Sequence, residues 1–342
     1  MTIKEILEKL SFGEDLTSEE AELALNLIMN GEVSSEQVAG FLTAMRIKGE
    51  TIDELTSFVR VMRNKSTKVN VDVTGAVDLV GTGGDKSGTF NISTVSAVIT
   101  AGAGVPIIKH GNRSASSQCG SADVLAQLGA NIELGASEVE KVFNEVGMAF
   151  MFAPMFHPAM KYVMPARRAL GFRTFFNILG PLSNPAGVNR YVIGAFSKDV
   201  AQKMVRILAK LDTEFAYTFN SYDGLDEIST TSDAEIFEVK DSVASQAFSF
   251  APESLGFQRV GMDTLTGGTP ELNAEIFSGI LNNTATNAQK DIVLLNATFA
   301  IQASGKVDTL KEAKELAIDS LESGKAKKLF KNFVEATNNV EA

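Results

Sequence analysis

The sequence predicts a two-part α/β protein: a small N-terminal helical unit, then a large α/β domain with a central, largely parallel sheet flanked by helices. Three observations carry this reading. Capping-box spacings recur through residues 1–65, each ahead of an apolar helical pattern. From residue 71 onward, short apolar runs alternate with amphipathic segments. Clusters of glycine and charge stand at the ends of the apolar runs, where open α/β sheets carry their ligands.

Thr17 with Glu20, Ser34 with Gln37, and Thr51 with Glu54 each fit the S/T-x-x-E/Q spacing. Leu23, Leu27 and Ile28 follow the first, Val38, Phe41, Leu42 and Met45 the second, and Leu55, Phe58, Val59 and Met62 the third. Gly31 and Gly49 stand where the first two helices should stop. Helices this short are marginal alone, so their apolar stripes must pack on each other, on the rest of the chain or on a second subunit. Strands are expected over 76–80, 105–108, 148–152, 191–196 and 214–219, with helices over 121–128, 137–146, 158–170 and 198–211 between them. Residues 235–239 and 242–250 read as a strand pair, followed by helices over 270–281, 291–303 and 310–323. The lysine-rich stretch 325–331 reads as a solvated helix face.

Composition narrows the function. A net charge of −11 argues against general nucleic-acid binding, which wants a basic face. Small anions remain admissible, because backbone N–H groups, a few local cations and a metal can hold phosphate in an acidic protein. No apolar stretch approaches the ~20 residues of a membrane span. The first ten residues alternate charge with apolar residues at helical spacing, unlike a signal peptide. With a single cysteine, Cys119, no intramolecular disulfide framework exists, and a cytoplasmic protein is expected.

Four clusters carry chemistry. Gly81-Thr82-Gly83-Gly84-Asp85 directly follows an apolar run, and its glycines let the backbone take positive φ and approach a phosphate. It matches neither the Walker pattern nor the dinucleotide G-x-G-x-x-G pattern. Ser87 to Thr94 then presents more small polar side chains than a helix cap requires, suited to phosphate and ribose oxygens. Lys109-His110-Gly111-Asn112-Arg113 places cations, an imidazole and an amide at a strand end. Asp226-Glu227 offers oxygen ligands of the kind Mg²⁺ takes together with phosphates, provided the loop faces the phosphate site. His110 and His157, the only histidines, lack zinc-site spacing. The arginines of Arg167-Arg168 and Arg173, in an apolar and aromatic stretch, suit either a carboxylate or the ends of helices; spacing does not choose.

Together these motifs resemble the anthranilate phosphoribosyltransferases. The matching segments are GTGGD at 81–85, FNIST at 90–94, KHGNR at 109–113, HPAM at 157–160, RTFFNILGPLSNPA at 173–186 and GLDE at 224–227, in the family's order and across nearly the whole chain. The resemblance implies a nucleoside-phosphorylase-like α/β fold, with a small helical domain at 1–70 (aided by about 165–185) and a phosphoribosyltransferase domain at 71–342. Hinges would join the two around the active site, and the helical domain would form a homodimer interface. The implied reaction transfers phosphoribose from Mg²⁺-bound phosphoribosyl pyrophosphate to the amine of anthranilate, an early step towards tryptophan. Gly81, Gly84, Asp85, Thr89, Asn91, Ser93, Thr94, Lys109, Ser117 and Ser121 would contact the donor. Ser93, Asp226 and Glu227 would bind Mg²⁺ directly or through water. Asn112 and Arg167 would hold anthranilate, with Gly81 and His110 beside it; His110 and Arg167 are the candidates for substrate alignment, and no residue is assigned as a certain catalyst. An anthranilate synthase subunit is a further partner the family admits. Ser114, Cys119 and Ala166 depart from the residues common in the family, but none removes a ligand-bearing position. A pyrimidine nucleoside phosphorylase is the nearest rival, opposed by KHGNR and GPLSNPA. A non-catalytic nucleic-acid-binding relative is opposed by the net charge and by the intact GTGGD and DE elements.

Overall fold

The computed structural model describes residues 1–114 and 118–340. Four helices open the chain: α1 (Ile3–Ser11), α2 (Ser18–Met29), α3 (Ser35–Lys48) and α4 (Ile52–Lys65). The three expected capping boxes are present, and Thr2 with Glu5 adds a fourth at α1. Packing of α1 on α3 and of α2 on α4 buries Ile6, Leu25, Phe41 and Phe58. Glu54, wholly buried, accepts hydrogen bonds from the Leu16 and Thr51 amides and pairs with Lys48 at 2.9 Å. Phe175, distant in sequence, stacks on Phe58 at 4.6 Å and meets Phe41 edge-on. The helical bundle is therefore completed by chain from beyond residue 170.

The alternation then begins. β1 (Val77–Gly81) leads to α5 (Ile92–Gly102), and β2 (Ile107–Gly111) leads to α6 (Ser121–Gln127) and α7 (Ala136–Val146). β3 (Met148–Phe152) is followed by α8 (Ala153–Phe156), α9 (Met164–Leu170) and α10 (Phe176–Leu182). β4 (Arg190–Gly194), α11 (Lys198–Leu208) and β5 (Phe215–Ser221) complete the parallel part. β6 (Ala234–Lys240), β7 (Val243–Ala244) and β8 (Phe248–Phe250) add an antiparallel edge. Four helices end the chain: α12 (Pro270–Leu281), α13 (Asn287–Ala303), α14 (Leu310–Glu322) and α15 (Lys325–Asn339).

The strands lie in the order β3-β2-β1-β4-β5-β6-β7, with β8 also pairing with β6, and the first five are parallel. After β1 the chain winds outward through β2 and β3, then returns to the other side of β1 as β4. This reversal makes a switch point between β1 and β4, and their carboxyl ends form the crevice where such sheets bind ligands. Gly81 and Gly194 face each other across it in register.

Three local expectations are corrected. The single helix over 158–170 is broken into a 3₁₀ turn at Pro158–Tyr162 and the separate helix α9. Pro158 and Pro165 lack the N–H that a continuous helix needs, and each sits instead in a first turn. The strand expected at 105–108 begins at Ile107 and runs through Gly111, because Pro106 cannot donate to the ladder. Lys109 and His110 thus lie within β2, not after it. The strand over 242–250 splits into β7 and β8; Asp241 and Ser242 take positive φ and turn the chain into the short β7.

Candidate active site

Everything at the switch point turns on backbone proximity. A Cβ on Gly194 would lie 1.7 Å from the Asp226 carbonyl oxygen, and one on Gly81 would lie 2.5 Å from Asp226 Oδ2. Glycine at both strand ends lets the loop after β5 fold down over them. Asp226 Oδ2 then accepts from the Gly83 N–H at 2.7 Å, and Glu227 Oε1 accepts from the Ser93 N–H at 3.0 Å. The carboxylate pair is thereby joined to the glycine loop and to the first turn of α5.

Gly83, Gly84 and Lys86 all take left-handed φ, between +64° and +74°. The N–H groups of Gly84, Asp85 and Lys86 make no hydrogen bond among the described residues. Clustered free amides around left-handed backbone form a concave anion site. The N-terminus of α5 adds its positive dipole end; its N-cap, Asn91, makes no side-chain cap, and the Ser93 N–H is held by Glu227 instead. Thr94 Oγ1 is buried without a partner among the described residues. Asn91 is otherwise engaged: it donates to the Cys119 carbonyl at 3.1 Å and accepts from Asn273 at 2.9 Å. Thr89 bridges to Thr266, which fastens the loop to the segment before α12.

Lys109 is 2% exposed and reaches from β2 to the Leu79 carbonyl and to Ser93 Oγ, the latter at 3.3 Å. Burial pulls its ammonium below its usual value, against the opposing pull of Asp78, Glu227 and Asp226. Burial pushes Asp226 up to about 7, reinforced by Asp85, and raises Glu227 well above a normal glutamate, reinforced by Asp226. Carboxylates that repel one another beside a phosphate cradle favour a cation between them. Two carboxylates and the Ser93 hydroxyl, completed by phosphate oxygens and water, suit Mg²⁺. Among the described residues no cluster of three or more His, Cys, Asp and Glu side chains can hold a metal alone.

His110 follows Lys109 on β2, so its side chain faces the other side of the sheet. Its ring lies 5.0 Å from that of His157. Burial lowers His110 to about 3, with His157 adding to the effect and the Gly180 carbonyl opposing it. His157 falls to about 4, also chiefly through burial. Both imidazoles are neutral at physiological pH. On α9, Arg167 lies 5.4 Å over the Phe176 ring, touches Met164 sulfur at 3.9 Å and has no acidic partner among the described residues. Burial lowers its pKa. A partly buried guanidinium without a counterion is a ready receptor for a ligand carboxylate.

The structure thus joins Gly81, Ser93, Lys109, Asp226 and Glu227 into one cluster, with Gly84, Asp85 and Thr94 on the same two elements. Ser121 Oγ donates to the Asn112 carbonyl at 3.3 Å at the end of β2. Arg167 and His110 form a second wall with α10. Ser117 lies outside the described residues.

The sequence reading missed Asp78 and gave Asn184 no role. Asp78 is wholly buried within β1; it accepts from the His110 N–H at 3.2 Å and from Asn184 Nδ2 at 2.8 Å, while Asn184 also donates to the Ile108 carbonyl. This network ties β1, β2 and the segment after α10 together beneath the site. A carboxylate in the middle of the apolar run 77–80 was the available signal.

Residues 4–66 match the family described as "Glycosyl transferase family, helical bundle domain", and residues 73–327 match "Glycosyl transferase family, a/b domain". An anthranilate phosphoribosyltransferase from Pelotomaculum thermopropionicum is 46% identical over 99% of this chain and 97% of its own length. One from Salinibacter ruber is 46% identical over 94% of each chain. The crystal structure of the Thermus thermophilus anthranilate phosphoribosyltransferase superposes with a TM-score of 0.91 at 38% identity, covering 97% of this chain and 99% of that one. The Saccharomyces cerevisiae enzyme in complex with PRPP and Mg gives a TM-score of 0.90 at 26% identity, covering 99% and 98%. With its helical bundle and its α/β domain both matched, the chain belongs to the glycosyl transferase family that contains the anthranilate phosphoribosyltransferases.

Proposed function

We propose that this chain transfers the 5-phosphoribosyl group of Mg²⁺-bound phosphoribosyl pyrophosphate to the amine of anthranilate, a step of tryptophan biosynthesis. The products are N-(5-phosphoribosyl)anthranilate and pyrophosphate. One observation carries the reading: Asp226 and Glu227 are hydrogen-bonded to the glycine loop, which carries the free amides of residues 84–86, and to the positive end of α5.

In this assignment Gly81, Gly84, Asp85, Thr89, Asn91, Ser93, Thr94, Lys109 and Ser121 surround the donor. Ser93, Asp226 and Glu227 hold Mg²⁺, which when bound offsets charge on the pyrophosphate leaving group. Breaking the anomeric C–O bond builds positive charge on the ribose and negative charge on pyrophosphate. Lys109 and the free amides of residues 84–86 stabilise the departing anion. Asn112, Arg167 and His110 align the acceptor so that its nitrogen lone pair meets the anomeric carbon as that bond breaks. An aromatic amine is already neutral near pH 7 and needs no strong base. Burial holds His110 at about 3, so it stands beside the acceptor as a neutral imidazole.

Arg167→Ala is expected to raise the KM for anthranilate about 10- to 100-fold, the worth of a charged hydrogen bond, while donor affinity is largely spared. Titration of each substrate into the variant checks this, and lost donor affinity with anthranilate binding intact would refute the placement. The reaction itself is tested by pyrophosphate release, which should require both substrates. Cleavage of uridine or thymidine by phosphate would favour a nucleoside phosphorylase instead.

No helix among the described residues is long and apolar enough to cross a membrane. Residues 1–70, aided by about 165–185, act in this reading as a domain that moves against the rest of 71–342. Phe12 and Ile47, highly exposed on the helical bundle, support a homodimer through that surface. An anthranilate synthase subunit, the source of the acceptor, is the other partner this function admits.

A further inference from the structure

The glycine loop is held from outside the donor site by a relay of two arginines. Arg173, in the segment between α9 and α10, donates from Nη2 to the Gly84 carbonyl. Its guanidinium lies 4.1 Å over the Phe196 ring, and the Phe196 N–H donates to Thr82 Oγ1 at 3.0 Å. One side chain thus grips the loop at Gly84 directly and at Thr82 through Phe196. The Arg173 carbonyl accepts from Arg46 Nη1 of α3, and the Arg46 guanidinium lies 4.7 Å over the Phe172 ring. Neither arginine has an acidic partner among the described residues. The direction of the grip matters. In a planar trans peptide the C=O and N–H point oppositely, so drawing the Gly84 oxygen towards Arg173 turns the Asp85 N–H away from it. That N–H is one of the free amides of the anion cradle.

We infer that Arg173 is a positioning residue that sets the Gly84–Asp85 peptide for the donor pyrophosphate, and that Arg46 makes this setting depend on the position of the helical bundle. The inference rests on the donor assignment above. It gives the bundle a part in donor capture through contacts that need no bundle residue to touch the donor.

The test combines amide hydrogen exchange of the free protein with donor binding, in Arg46→Ala, Arg173→Ala, Arg173→Lys and the Arg46→Ala/Arg173→Ala pair. Without any ligand, exchange over residues 82–90 should quicken in both single variants, including Arg46→Ala, although Arg46 does not contact that loop. Donor Kd, measured with Mg²⁺ and phosphoribosyl pyrophosphate, should rise about 10-fold in Arg173→Ala. Arg173→Lys should not restore it, because an ammonium cannot both donate to Gly84 and stack as a planar group on Phe196. The double variant should be no worse than Arg173→Ala. Unchanged exchange at 82–90 in Arg46→Ala, additive effects on Kd, or full rescue by lysine would each overturn the relay. Should Arg173→Ala melt early, Arg173→Gln, which keeps a donor for Gly84, takes its place and should show an intermediate Kd; a Kd equal to the parent's would overturn the proposal. Failure of the parent protein to bind the donor would overturn the functional reading instead, and the exchange measurement distinguishes the two.

Discussion

The Asp226→Asn/Glu227→Gln variant is expected to lose magnesium-dependent use of the donor by about 100-fold or more while remaining folded. The two carboxylates sit against the glycine loop and α5, and their amides keep the shape and an acceptor oxygen for the Gly83 and Ser93 N–H groups. What the amides remove is charge. In the free protein that charge is a burden, because burial and mutual repulsion raise both groups. The variant should therefore melt no lower than the parent near neutral pH, which separates lost function from lost structure. Unaltered magnesium dependence would count against the site.

The same groups impose a pH dependence whose sign is fixed. Asp226 rises from an unfolded value near 3.8 to about 7, so the folded protein holds the extra proton between those values. The stability this confers is present at low pH and is lost as pH rises through about 7. Mg²⁺ needs the ionised carboxylates, so its binding with the donor should strengthen over the same window. Melting curves from about pH 5.5 to about pH 8 should show the thermal shift given by Mg²⁺ and donor growing with pH. A shift that stays constant would contradict the assignment.

The second large effect is steric. Gly194→Ala puts a Cβ 1.7 Å from the backbone oxygen of Asp226, and a backbone atom cannot swing aside as a long side chain can. Either β4 or the loop 224–227 must move. Overpacking of this kind costs about 1–3 kcal/mol. Its expected signature is a lowered melting temperature together with a raised Kd for Mg²⁺ and donor, since the displaced residues are the proposed metal-binding pair. Gly187→Ala is a fitting contrast: Gly187 has positive φ but open space around it, so backbone strain alone should appear, without loss of donor affinity. Equal damage to donor binding in both would show that crowding at Asp226 is not the cause.

Much of this site was legible in the sequence because it is carried by local clusters at strand ends. GTGGD and KHGNR each place glycine and polar groups next to an apolar run, and the structure puts both at carboxyl ends of adjacent parallel strands. Capping boxes gave the early helices because an N-cap is a contact between residues three apart. Contacts that depend on tertiary return were not legible. Asp226 on Gly83, Glu227 on Ser93, and Asp78 on Asn184 join residues separated by over 100 positions. The Arg46–Arg173 contact is of the same kind, and Arg46 on its own reads as an ordinary charge on an exposed helix face. Prolines account for the broken helix after residue 157 and for the late start of β2, where apolar periodicity alone predicts unbroken elements.

The most direct test of the central claim is the loss of anthranilate fluorescence when the purified protein meets anthranilate and phosphoribosyl pyrophosphate, with and without Mg²⁺. The account predicts a loss that requires both substrates and the metal, and that vanishes in the Asp226→Asn/Glu227→Gln variant. Unchanged fluorescence from folded parent protein supplied with all three would contradict it.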